Sequence, residues 1–117
     1  NADMVGHTGQ LQATVAAVET LDQCLARIIV AAHKVDATVM ITADHGNAEQ
    51  MWDTERNGPH TSHTTNRVPL VLVGPNVRAS MPLRDGSLRD VAPTILGVLG
   101  IEPPPEMTGR DLRGWID

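Results

Sequence analysis

Between Gln10 and Lys34 the apolar residues Leu11, Val15, Val18, Leu21, Leu25, Ile28 and Ala32 return at steps of three and four, while Gln12, Glu19, Gln23, Arg27 and Lys34 fall elsewhere. That spacing predicts an amphipathic helix over 10–34, with Thr8 placed to offer an N-cap oxygen. Residues 37–43, ATVMITA, are short, β-branched and almost continuously apolar, which predicts a strand buried on both faces. The strand stops at Asp44-His45-Gly46-Asn47, and from there to Arg67 the chain is polar with no sustained period, so a long loop is expected. Residues 68–73, VPLVLV, predict a second strand, with Pro69 at its start because it has no N–H to give a ladder.

Further along, Asp85-Gly86-Ser87 reads as a turn and residues 88–99 as a helix that Asp90 caps, so that Pro93 falls in the first turn, and Gly100 ends it. The prolines within 102–106 predict a stiff extended connector, and Trp115 is the one residue able to dock the tail. In an open α/β sheet the polar tetrapeptide after the first strand would lie where ligands bind, outside the carboxyl ends of the strands.

Composition narrows the function. At 117 residues there is room for one domain, and there is no apolar run long enough to span a membrane. A net charge of -5 argues against nucleic acid as a partner, and a single cysteine, Cys24, excludes an intrachain disulfide and a thiolate zinc site. No targeting segment is visible, so a cytoplasmic location is expected. With no Phe and no Tyr, the core must be built from Val, Leu, Ile, Met and Ala and should be thin. The chain opens at Asn1 on a polar string without an anchoring element, as a piece of a larger protein would.

Four of the five histidines lie with carboxylates or with each other in short clusters: Asp3 with His7, Asp44 with His45, and His60 with His63. His33 stands apart at the end of the first helix. Imidazole and carboxylate together suit divalent ions such as zinc and manganese, and no thiolate competes. Each cluster alone has a plain structural explanation: Asp3 as a turn cap, Asp44 as the start of a turn at Gly46, His60 and His63 as loop residues. Convergence of all three at one sheet edge would point to a metal site, since loops at strand ends carry ligands.

The strings DMVGHTG at 3–9, TADHGNAE at 42–49 and PHTSHTTN at 59–66, followed by DVAPTIL at 90–96, Gly100-Ile101 and MTG at 107–109, resemble the cofactor-independent phosphoglycerate mutases. Asp-His-Gly alone would indicate only the wider alkaline phosphatase superfamily. The resemblance covers nearly the whole chain and implies residues 1–117 to be the C-terminal portion of a single metal-binding, phosphatase-like domain. It implies part of a three-layer sandwich with a mostly parallel sheet flanked by helices. It further implies two divalent ions, usually manganese, with Asp3, His7 and His63 on one and Asp44 and His45 on the other. His63 is preferred to His60 for its place before Thr64-Thr65-Asn66.

The activity implied is interconversion of 3- and 2-phosphoglycerate in glycolysis through a phosphoserine, in an enzyme that is monomeric when intact. The nucleophilic serine, further ligands and substrate-holding arginines are expected outside this stretch; neither Ser62 nor Ser80 has the right context. The isolated chain is therefore expected to be inactive, weakly metallated and prone to self-association. Two other readings stay open: another enzyme of the superfamily, such as a phosphopentomutase or phosphodiesterase, and a non-enzymatic module whose helix face serves a partner protein.

Overall fold

The computed structural model describes residues 2–75, 77 and 82–114; Ser80 and Trp115 lie outside them. The chain forms two compact units, residues 1–75 and 76–117. In the first, helix α1 (Ala2–Gly6) precedes helix α2 (Leu11–His33), strand β1 (Val39–Thr42), the short strands β2 (Trp52–Asp53) and β3 (Gly58–Pro59), and strand β4 (Leu70–Val73). In the second, a 3-10 turn (Leu88–Asp90) leads into helix α3 (Val91–Val98).

Helix α2 forms where the three-and-four spacing places it, but Thr8 does not cap it. Gln10 occupies the cap position without a side-chain bond. The Thr8 hydroxyl instead donates to the Val5 carbonyl at 2.6 Å and accepts from the Gln10 N–H at 3.3 Å, tying off the turn between the two helices. α2 packs on α1 and buries Thr14, yet Leu11, Val15, Val18, Leu21 and Ile28 remain between 47% and 59% exposed. Its end is a Schellman turn: the Ala37 N–H reaches Ala32 at 3.0 Å, with Asp36 left-handed at φ 52. α3 closes the same way, Ile101 to Leu96 at 2.9 Å and Gly100 to Gly97 at 3.1 Å, with Gly100 at φ 69.

The expected parallel sheet is not what these strands make with each other. β1 pairs with β4 antiparallel, Val39 opposite Val73 and Thr42 opposite Leu70, and β2 pairs with β3 antiparallel. No crossover helix separates β1 from β4, so the chain returns along its own path, and a parallel pair would have needed such a crossover. With β4 as its only ladder partner among the described residues, β1 is half-buried rather than buried on both faces. Pro69 sits just before β4, and its carbonyl accepts from the Thr42 hydroxyl at 2.9 Å.

The long loop contains a hairpin that its polarity concealed. Asp53 accepts from the Glu55 and Arg56 N–H groups, each at 3.0 Å, and Asn57 turns the chain at φ 49 before Gly58. Those backbone bonds, with the nearby Arg56 charge, hold the Asp53 carboxyl below its ordinary range.

In the second unit Asp90 occupies the N-cap position of α3, with Pro93 in the first turn as expected, but without a side-chain cap bond; Ser87 caps the 3-10 turn before it. Asp90 is the acidic partner of a capping box, accepting from the Ser87 N–H at 2.8 Å, while its other oxygen takes the Arg110 N–H at 2.9 Å. The Arg110 bond and then the Ser87 bond keep its carboxyl below the usual value. The proline connector bends rather than extends, with the Met107 N–H on Pro104 at 3.0 Å. The apolar core is thin, as the missing Phe and Tyr imply: among the described residues Leu112 is the one buried hydrophobic side chain, and Pro93 and Thr94 are fully buried as well.

Thr94, with 0% exposure, donates to the Asp90 carbonyl at 2.6 Å and accepts from the Leu112 N–H at 3.0 Å. Thr94→Val keeps the shape but strands that N–H, at a cost of about 1–3 kcal/mol. The expected result is a lower urea midpoint at unchanged m-value, largely restored in Thr94→Ser.

Candidate metal centre

Asp3 lies in the first turn of α1 and His7 follows the helix, its N–H on the Asp3 carbonyl at 3.1 Å. The four-residue step puts both side chains on one face, 3.4 Å apart between Asp3 Oδ1 and His7 Nε2. His63 arrives from the loop before β4, its Nε2 3.1 Å from the same carboxylate oxygen and 3.0 Å from His7 Nε2. One potential donor atom from each of Asp3, His7 and His63 lies within 4.8 Å of the others.

His45, just past the end of β1, joins from a second direction. Its ring stacks on His63 with centroids 3.5 Å apart and planes at 20°. Its Nε2 is 4.0 Å from Asp3 Oδ1 and 3.4 Å from Asp44 Oδ1. The Asp44 side chain is 85% exposed and touches the group through His45 alone among the described ion pairs. The structure thus gathers Asp3, His7, His63 and His45, with Asp44 at the rim. His60 stays out: its N–H closes on Met51 at 3.0 Å and its Nδ1 is buried with no hydrogen-bond partner.

The imidazoles are oriented for ligation. His7 Nδ1 lies 2.6 Å from the Thr61 carbonyl and His45 Nδ1 3.2 Å from the Gly46 carbonyl. A carbonyl oxygen only accepts, so each Nδ1 is the donor there, and Nε2 is the ring nitrogen turned toward the shared space. Lone pairs and a carboxylate facing one another repel unless a cation or a proton lies between them, so this donor set fits a divalent ion.

Tight backbone approaches hold the three strings together. Gly46 and Thr64 exchange N–H···O bonds of 3.3 and 2.9 Å, and the Asn47 amide donates to the Ser62 carbonyl at 3.2 Å. A Cβ on Gly46 would collide with the Thr64 hydroxyl and the Glu49 carboxylate, and one on Gly6 with the Asn47 amide. Glu49 and Asn47 were not singled out from the sequence. A carboxylate four residues past His45, beside threonine and asparagine in the partner loop, was the available signal.

A family model described as the metalloenzyme superfamily matches residues 1–103. The chain belongs to that superfamily. It is 53% identical over 112 residues to the 2,3-bisphosphoglycerate-independent phosphoglycerate mutase of Methylobacillus flagellatus, covering 96% of this chain and 22% of that protein. The enzyme of the same name from Rhodopirellula baltica is 53% identical over 113 residues, with 96% of this chain and 21% of that protein covered. A crystal structure of Leishmania mexicana phosphoglycerate mutase at low cobalt concentration superposes with a TM-score of 0.80 at 34% identity, over 95% of this chain and 23% of that one. The α/β, alkaline-phosphatase-like class and the resemblance to the mutases both stand on these likenesses. The chain spans 21% to 22% of the length of the two curated relatives.

Glu49 supplies a pH-dependent prediction. The Thr64 hydroxyl above all, with the Asn66 and Asn47 N–H groups, holds its carboxyl at about 2 against an ordinary 4.5. Because the folded value is the lower, its contribution to stability is complete above 4.5 and is lost as the pH falls toward 2. Carboxyl-detected NMR should show Glu49 still ionised between these limits, and Thr64→Val should move its midpoint upward.

Proposed function

We propose that this chain is the C-terminal metal-binding part of a cofactor-independent phosphoglycerate mutase, interconverting 3- and 2-phosphoglycerate in cytoplasmic glycolysis. The observation that carries the reading is the meeting of Asp3 Oδ1 with the Nε2 atoms of His7 and His63, each brought from a string that resembles the mutases. Asp3, His7 and His63 would hold one ion, and His45 with Asp44 would begin the second site. Manganese is the favoured metal, from the carboxylate and imidazole donors and the lack of thiolate. When bound, such ions neutralise a phosphoryl group and lower the pKa of a coordinated hydroxyl.

This chain's own residues then have definite tasks. Asp3 supplies the shared anionic oxygen. Thr61 and Gly46 fix the His7 and His45 tautomers through their carbonyls. The serine nucleophile and the substrate-gripping groups would come from the additional length of the relatives. The names of the relatives favour phosphoglycerate over a pentose phosphate, and the superfamily match favours an enzyme over a purely interacting module.

A polypeptide carrying this segment at the full length of its relatives should interconvert the two phosphoglycerates without added 2,3-bisphosphoglycerate and lose that activity to a chelator. Conversion of pentose phosphates instead would overturn the reading. The 117-residue chain alone should show no turnover. Calorimetric titration of the chain with Mn²⁺ should give binding that weakens in acid, as imidazoles take up protons. Asp3→Ala and His7→Ala should each weaken it sharply, whereas His60→Ala should not.

A further inference from the structure

The geometry points to Glu49 as a positioning residue that locks the His45 and His63 imidazoles into their shared arrangement. The inference rests on the metal-centre reading above and extends it to a group that touches none of the proposed ligand atoms.

His45 and His63 come from segments 18 residues apart, and neither sits on a helix or in a strand. Their stacking at 3.5 Å depends on the two backbones staying in register beside them. The Gly46–Thr64 bridge supplies a single pair of bonds for this, and an isolated bridge between loops frays readily. Glu49 closes it from outside. Its Oε2 accepts from the Asn47 N–H at 2.6 Å, and its Oε1 accepts from the Thr64 hydroxyl and from Asn66 Nδ2 at 3.0 Å. One carboxylate therefore grips the second residue after His45 and the first and third residues after His63.

The chemistry requires a glutamate. All three partners are donors here, and an ionised carboxylate only accepts. A glutamine would present an amide N–H₂ to at least one of them. An aspartate is one methylene shorter and would have to surrender one loop to keep the other.

The test uses the full chain with ¹⁵N-labelled histidine, read first without metal by long-range ¹H–¹⁵N spectra and then by Co²⁺ titration followed in the visible. Glu49→Gln should move the His45 and His63 imidazole signals while leaving those of His33, at the end of α2, in place. Co²⁺ affinity should fall ~10- to 100-fold, as for residues that orient metal ligands. Asp53→Asn, which alters a hairpin carboxylate with its own turn bonds, should change neither reading. Thr64→Val should reproduce the Glu49→Gln pattern, and Thr64→Ser should rescue it, which keeps the test decisive if Glu49→Gln unfolds the chain. Unmoved His45 and His63 signals in Glu49→Gln, or in Thr64→Val where Glu49→Gln does not fold, would overturn the role. Absence of Co²⁺ binding by the unaltered chain would count against the metal reading instead, because the imidazole signals judge the positioning role without any ion.

Discussion

Two loop backbones meet at Gly46 and Thr64, and the candidate centre exists only while they do. The approach is close enough that a methyl on Gly46 has no place, since the Thr64 hydroxyl and the Glu49 carboxylate already fill it. From that contact the rest follows outward. His45 and His63 stack because they flank the bridge, and Asn47 reaches the Ser62 carbonyl because its backbone is held beside it. Helix α1 can come near only because Gly6 leaves room for the Asn47 amide. The three motif strings thus converge through backbone geometry, with side-chain chemistry added afterwards.

The sequence disclosed the features that rest on periodicity. Helix α2, strands β1 and β4 and the end of α3 all follow from spacing, β-branching and a terminal glycine. It concealed features that depend on single hydrogen bonds or on partners far along the chain. Asn57-Gly58 is a hairpin signal, yet the strands it joins are two residues each, too short for alternation to register. Ser87 and Asp90 satisfy the capping-box spacing, but Asp90 also has a backbone partner twenty residues away, Arg110. The antiparallel direction of the β1–β4 pair was implicit in the helix-free stretch between them, whereas the expectation of a parallel sheet came from the resemblance. For the site, the residue types and their clusters were legible, and the resemblance grouped them. The carbonyls that set the imidazole tautomers, and the Glu49 clamp, were not, because they arise only once the loops are folded together.

A chain without Phe or Tyr has to secure itself by other means. In the second unit the means is polar. Thr94, wholly buried, relays between the Asp90 carbonyl and the Leu112 N–H, and the Asp90 carboxylate joins Ser87 to Arg110. Buried networks of this kind are favourable only when every member has a partner, so they specify one arrangement more strictly than apolar packing does. Nearby, burial would raise the Asp111 carboxyl, but the Arg113 guanidinium, in contact at 2.6 Å, holds it below its usual range.

The β1–β4 ladder has a further consequence. Thr42 and Leu70 face each other across it, so the excursion between them, bearing His45, Glu49 and His63, leaves and re-enters the scaffold at neighbouring points. Lengthening such a closed detour is cheap, ~0.6 kcal/mol per doubling. Evolution could therefore enlarge or exchange the intervening hairpin without disturbing the feet on which the cassette stands, provided the crossing of Gly46 and Thr64 is preserved.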